Sequence, residues 1–541
     1  MSTEYEIIIE NGRIIDGTGN PWYWGNIAID KGKIISVGQL KKIQSENVID
    51  ATGMIVCPGF IDAHSHGDHN SLVYRDMENI LHQGITTIIA GQCGSSLAPL
   101  SDDIREESQK QVNSWLPEGY SLDLYWDTFD EYLKEEEKEG LGANIAHLVG
   151  HGAIRAAGMG LDDRDPTSLE LKKMKDLTAE AMESGAYGLS TGLIYPPGIF
   201  AKTPEIIELA KIAAEYGGVY DSHIRGEGIS LIKAIKEALE IGEKAKIPIQ
   251  ISHHKIANKS IWGQSVETLK MFEKARENGI DVTIDQYPYK AGSTSLMTVL
   301  PPWVHDGGKD SALERLKDPL LRNKMKTDIE KGIPGWENFA GELGWENVYV
   351  SSVKTDENKV LEGMNINEIK QQRDTKDEFT ALYELLLEEE GTAGMVIFYG
   401  LEEDVKRIMK HPLQMVGTDA GCCNIKGPFC RGKPHPRHYG TYPKILGKYV
   451  REEGILSWEE AIRKMTSFPA QRFGLFNRGI LRPNMCADIT IINPITVIDK
   501  STYNTPHKFP EGVPYVIVNG EIVIGNGKYT RKRPGKTLRK K

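Results

Sequence analysis

Cysteine is scarce, with six residues in a chain of 541. That density excludes a disulfide-stapled scaffold. No apolar run approaches the ~20 residues of a membrane-spanning helix. The stretch from Met1 to Glu6 lacks the basic and apolar segments of a secretory leader. These absences point to a cytoplasmic protein whose thiols stay reduced and free for metal or redox chemistry. An excess of positive charge is also lacking. Lys and Arg total 65 against 76 Asp and Glu, a formal charge of −11, so generic binding to nucleic acid or an anionic membrane is not expected. One local exception is Lys528 to Lys541, with eight Lys/Arg and no acid, read as a solvated tail. Repeats and low-complexity tracts are missing. What is present is an ordinary globular balance, 40% hydrophobic and 26% charged, in a chain long enough for a large core.

The two ends read alike. Near the N-terminus, short apolar runs at 7–9, 27–29 and 33–35 are separated by Asn11-Gly12, Asp16-Gly17 and Lys31-Gly32, which carry turn chemistry. Near the C-terminus, runs at 488–492, 515–518 and 522–524 flank Asn519-Gly520. We expect these ends to form one small β domain around the middle of the chain. There, eight strand candidates, 55–62, 85–90, 144–149, 187–190, 218–223, 248–253, 281–286 and 414–419, alternate with amphipathic helices. In one helix Ile232, Ile235 and Leu239 share a face; in another, Val266, Leu269 and Phe272 do. Eight strand–helix units favour a closed parallel barrel. About 130 residues separate the seventh and eighth strands. The segment 295–347, with a charged helix near 311–331, is read as an inserted lid over the site.

The chemistry sits at the strand ends. In a strand, residues two apart point to one side, so His64 and His66 aim together, as metal ligands do. Cys93 lies between glycines past the second strand; a ligand thiolate and an inert buried thiol are both open for it. His223 and His253 end the fifth and sixth strands, with His254 facing away. Asp419 ends the eighth, where it either caps a helix or holds a metal and takes a proton from water.

This set resembles the amidohydrolase superfamily. The runs Gly91 to Gly94, Ser222 to Gly228, Ser252 to Lys255, Gly292 to Ser295, His435 to Arg437 and Gly440 to Pro443 narrow the resemblance to the N-acyl-D-amino-acid deacylases, or D-aminoacylases. It covers nearly the whole chain. The resemblance implies an α/β fold: a metal-dependent (β/α)₈ TIM-type barrel with a small β-sandwich domain formed by both termini. The expected division is 1–57 for the N-terminal part of the β domain, 58–476 for the barrel with its lid, and 477–541 for the rest of the β domain and the tail. The resemblance further implies Zn²⁺ held tightly by Cys93, His223 and His253. A second, weaker metal falls to His64 and His66 with Cys93 and Asp419. Asp419 is then the general acid/base, and Lys255, Tyr287, Ser293 and Arg437 bind the substrate. The substrate is an N-acyl-D-amino acid, or a peptide ending in a D-residue; no nucleic-acid or membrane partner is implied, and a homo-oligomer is compatible.

One departure from the family is the longer loop from Gly421 to Cys430, with three further thiols, Cys422, Cys423 and Cys430. It is read as shaping the acyl pocket, with an additional metal site as the alternative. Two other functions stay open. A dihydroorotase or hydantoinase would bridge its metals with a carboxylated lysine on strand four, but that strand ends Tyr187 to Gly192 without one. A non-catalytic scaffold would be free to lose ligands, yet all of them are present.

Overall fold

Residues 3–40 and 43–541 are described by the structure, a computed structural model; Met1 and Ser2, part of the stretch read for a leader, lie outside the described residues. Eight parallel strands form the centre. They are Phe60–Asp62, Ile85–Ala90, Asn144–His147 continued by Val149–Gly150, Gly188–Gly192, Val219–His223, Ile249–Ile251, Val282–Gln286 and Gln414–Val416. Each pairs with the next in parallel register. The ring closes between last and first: Ala63 N donates to Val416 O at 3.1 Å and Asp419 N to His64 O at 2.7 Å. The strands are buried along their length, which explains their unbroken Ile/Val/Thr character: helices cover one face and the barrel interior the other. Ile61, Ile89, Ala146, Val219 and Met415, from five strands, meet in one core cluster with Phe473. The α/β barrel expected from the strand–helix alternation is therefore the observed fold.

The outer helices bury narrow stripes. Leu231–Ala245 buries Leu231, Ala234, Ile235, Ala238 and Ile241, a stripe centred on Ile235 and rotated from the expected one; Ile232 and Leu239 flank it, half-buried. Ser265–Glu277 buries Leu269 and Phe272, but the helical period carries Val266 off that stripe and into solvent.

Both termini contribute to one β layer. Ile55–Pro58 is the seam, paired with Arg13 and Ile14 on one side and with Ile489–Ile492 on the other. Ile9, Ile27 and Ile29 share a core with Ile489, Ile491 and Ile517, so the sheet curls over residues from both arms. Asn519-Gly520 makes the expected tight turn, with φ of 48° and 86°. Asn11-Gly12 does not. It lies inside the strand Ile7–Ile14, where the register shifts between Ile9 and Gly12; the left-handed Asn11 (φ 58°) forms a bulge instead of a turn.

Two further readings need correction. The insertion is longer than 295–347. Ala291–Ser295, Gly394–Phe398 and Val348–Ser352 form an antiparallel sheet with the second of these in the middle, and the segment has its own core, including Leu296, Met325, Leu382 and Met395. Its charged helix is two helices, Gly308–Lys317 and Pro319–Lys331, because Pro319 starts a new one after Asp318. The basic tail is docked through its backbone while most of its cations stay exposed. Thr537–Leu538 pairs in parallel with the third barrel strand, and Arg539 forms ion pairs with Asp130 and Glu137. The barrel rim offers unpaired backbone groups and acids, and the tail's NH groups and cations meet them. Among the described residues no helix is long and apolar enough to cross a membrane.

Candidate metal and catalytic centre

All six residues assigned to metal by the sequence lie at the C-terminal mouth of the barrel. Cys93 Sγ is the hub. It stands 3.4 Å from His64 Nε2, 3.5 Å from His253 Nε2 and 3.7 Å from His223 Nδ1. A tetrahedral zinc with Zn–S of about 2.3 Å and Zn–N of about 2.0–2.1 Å puts sulfur and nitrogen about 3.5 Å apart. The donors suit zinc in chemistry and each sulfur–nitrogen distance suits it in spacing, but the three whose donor atoms all lie within 4.8 Å of one another are His64, Cys93 and His253, while His223 groups with Glu227 and His253. His64 is as close to the sulfur as His223 is. A second group of donors shares His64: Asp419 Oδ1 lies 3.1 Å from His66 Nε2 and 3.7 Å from His64 Nε2.

Electrostatics suit ligation. Burial holds His64, His223 and His253 well below the ordinary imidazole range, so they are neutral with lone pairs to give. Burial pushes the Cys93 thiol well above its usual range, with the Asp419 charge adding to the shift; only a nearby cation makes it a thiolate. Burial also pushes the Asp419 carboxyl up, but Arg437, then His253, overcome this and hold it well below the usual carboxylate range. Cys93, His253 and Asp419 all have left-handed backbone, with φ of 54°, 34° and 52°. Such conformations cost roughly 1–3 kcal/mol each and are kept where side-chain aim matters.

The expected substrate-binding residues stand on the side of strands six to eight. Arg437 Nη1 donates to Asp419 Oδ2 at 2.6 Å and Nη2 to the Ser293 carbonyl at 3.1 Å. Its guanidinium lies 4.9 Å from the centre of the Tyr287 ring. Among the described residues, its buried Nε has no partner, so one donor of the fork is left unpaired. The Tyr287 hydroxyl bonds that of Tyr399 at 2.8 Å. The Ser293 hydroxyl donates to Met395 O inside the insertion sheet, so Ser293 faces the site with its carbonyl. Lys255 is already engaged: Nζ donates to Glu227 Oε1 at 2.5 Å and lies 2.8 Å from His253 Nδ1.

Glu227 was not singled out in the sequence. Its Oε1 is 3.0 Å from His253 Nδ1, close enough to orient that ring, while its Oε2 stands 3.9 Å from His223 Nε2, which has no hydrogen-bond partner among the described residues. Its backbone NH donates to Glu337 of the insertion. Burial, then the Glu227 charge, raises the Glu337 carboxyl to about 8. The only sequence signal for Glu227 was its place four residues after His223. Cys422 and Cys423 line the cavity beside the centre, and Cys422 Sγ lies against Gly67 O.

The cavity has a volume of about 690 Å³ and runs from His66, Cys93 and Asp419 outward between barrel and insertion. A match to the Amidohydrolase family spans residues 47–301 and 326–524. The chain is 33% identical to a D-aminoacylase of Alcaligenes xylosoxydans xylosoxydans, over 99% of this chain and 98% of that one. It superposes with a TM-score of 0.81 and 31% identity on N-acyl-D-glutamate deacylase from Bordetella bronchiseptica, solved with zinc and a phosphonate mimic of the tetrahedral intermediate; coverage is 99% and 100%. A D-hydantoinase structure superposes at 0.56 with 16% identity, over 99% of each chain, a likeness of fold alone. This chain belongs to the amidohydrolase family.

Proposed function

We propose that the protein hydrolyses the amide bond of N-acyl-D-amino acids, releasing a carboxylic acid and a free D-amino acid. The observation that carries this reading is the gathering of three imidazoles around Cys93 Sγ at zinc-like spacing, with Asp419 and the unpaired donor of Arg437 beside them. The names and substrates of the full-length relatives support it. Cys93, His223 and His253 are assigned the tight zinc, and His64 and His66, with Cys93 and Asp419, a weaker second metal. Bound zinc lowers the pKa of a coordinated water to about 7 and polarises a carbonyl.

The chain's own groups do the rest. Asp419, ionised through the neutral range, accepts the proton of the attacking water on Oδ1. A carboxyl of such low pKa is a reluctant base but a strong acid once protonated, so it gives the proton readily to the leaving nitrogen. That second transfer matters most, because an amine leaves poorly unless protonated. Arg437 offers Nε and the free hydrogen of Nη2 to the substrate carboxylate as a planar fork. Tyr287 supports the fork from beneath, Ser293 O fixes its Nη2, and Lys255 adds positive charge across from it. With carbonyl and carboxylate both pinned, exchanging hydrogen and side chain at the α-carbon forces a clash, which is the source of D-selectivity. The cyclic-amide alternative is disfavoured because strand four presents Leu189, Ser190 and Thr191 and no lysine. Peptides ending in a D-residue carry the same carboxylate and fall within the reading. Six free cysteines suit a reducing cytoplasm.

Chelator-stripped enzyme is the test. Hydrolysis of N-acetyl-D-methionine should vanish on stripping and return with zinc; unchanged activity in the stripped protein would refute the metal assignment.

A further inference from the structure

The cavity is not uniform, and its asymmetry bears on which acyl group the enzyme takes. On the side of strands six to eight its walls are polar and small: Ser293 to Ser295, Ser351 and Ser352. On the opposite side, past strands two and three, the wall is the helix Asp102–Trp115. Ile104, Ser108, Gln111, Val112 and Trp115 of that helix line the cavity. These are positions i, i+4, i+7, i+8 and i+11, one continuous face. Leu97, Leu100, Ala156, Leu161 and Met297 line the cavity as well, and Leu97, Leu100, Ile104, Val112 and Ala156 form one apolar cluster, so this part of the wall is an apolar strip edged by Glu107, Ser108, Gln111 and Ser114.

The trough along this strip has a near and a far end. Trp115 stacks on His69 at a centroid distance of 4.2 Å, and His69 lies 5.1 Å from His66, so the Trp115 end adjoins the metal centre. The loop carrying Cys422, Cys423 and Phe429 borders that end, and Arg431 ties it down by donating to Trp115 O and Leu116 O. The far end is closed where Glu107 accepts from Lys309 N of the insertion. From Ile104 to Trp115 the helix rises about 16 Å, at ~1.5 Å per residue.

In an N-acyl amino acid, the carboxylate and the acyl chain leave the scissile carbonyl in opposite directions. Of the proposed clamp, Arg437, at the start of the helix after strand eight, lines this cavity, with Lys255 and Tyr287 behind it in a smaller pocket; the apolar strip lies on the side of strands two and three. The geometry points to a medium- or long-chain fatty-acyl group as the occupant of this trough, making the protein a deacylase of N-(fatty acyl)-D-amino acids in preference to N-acetyl ones. This rests on the proposed D-amino-acid deacylation and names its acyl specificity. The determinants are Val112 and Ala156, which both line the cavity and belong to the same apolar cluster; neither is among the metal ligands or the clamp residues named above.

The test is kcat/KM for N-acetyl-, N-hexanoyl- and N-decanoyl-D-methionine on the zinc enzyme and on Ala156→Phe and Val112→Gln. Each buried methylene is worth about fourfold, so four added methylenes should raise kcat/KM by about 10²-fold. The variants should lose most of that gain while hydrolysing the acetyl substrate within about twofold of wild type, which also shows that they fold. Binding of decanoate, measured by calorimetry, should weaken at least tenfold in Ala156→Phe. If no N-acyl-D-amino acid is cleaved but decanoate binds and Ala156→Phe expels it, the deacylase reading fails and the trough stands. Equal rates for acetyl and decanoyl substrates on the wild type would overturn the trough and leave deacylation intact. So would a gain that follows the size of the D-side chain.

Discussion

Replacing Arg437 by Lys should separate carboxylate recognition from metal binding. The guanidinium bonds Asp419 Oδ2 and Ser293 O, and under the proposed clamp its unpartnered Nε and remaining hydrogen take the substrate carboxylate. An ammonium is a point charge and cannot hold this planar set. Asp419 is the nearest anion, so the lysine should pair with it and leave the substrate carboxylate unheld. A hydrogen bond to a charged group is worth about 1.5–3 kcal/mol. Losing two, partly offset by the retained charge, should cost about 3–4 kcal/mol, or 10²–10³-fold in kcat/KM. The assay compares N-acetyl-D-methionine with its D-amide on both proteins. Wild type should favour the acid by about that factor, since the amide leaves a buried cation unpaired. In Arg437→Lys the ratio should collapse to within about tenfold while zinc content stays at the wild-type level. Equal wild-type rates for acid and amide, or an unchanged ratio in the variant, would refute the clamp.

Other outcomes follow from the same geometry. Asp419→Asn keeps the shape but removes the proton acceptor, so zinc should be retained while turnover falls by about 10²-fold or more; near-normal kcat would mean that another group moves the proton. Cys93→Ala removes the hub of the donor set, and tight zinc should be lost; metal analysis showing wild-type zinc would contradict this. Deleting residues 535–541 removes the backbone hydrogen bonds joining Gly535 with Leu141, Ile145 with Lys536 and Lys540 with Gly185, four in all, besides the pairing of Thr537–Leu538 with the third strand. At about 1 kcal/mol each this is about 4 kcal/mol, with little more from the exposed Arg539 pairs. A Tm lowered by several degrees is expected, and a melting curve unchanged within a degree would restore the solvated tail.

Local pattern carried the barrel and the His64/His66 pair, and the resemblance supplied the rest of the proposed donors. Buried parallel strands read as β-branched runs, and a two-residue period made His64 and His66 neighbours before any fold was known. The features that the pattern left hidden are long-range. Nothing near Glu227 announces that its carboxylate backs His253 or that its NH meets Glu337, 110 residues away. The strand Val348–Ser352 is short and ends on two serines, and the apolar Gly394–Phe398 pairs in an antiparallel sheet outside the barrel, so neither falls into the strand–helix alternation. The tail's docking was hidden because the acids that hold Arg539, Asp130 and Glu137, lie some 400 positions earlier. Asn11-Gly12 shows the converse limit: left-handed backbone suits a turn or a bulge equally, and the pairing partner decides which.

The most direct test of the account is the ratio of kcat/KM for N-acetyl-D-methionine to that for its L-isomer, on fully zinc-loaded protein with released amine as the readout. Pinning by Cys93, His223 and His253 through zinc at one end and by Arg437 at the other predicts a D preference of about 10²-fold or more. A preference for the L-isomer, or no release from either, would contradict it.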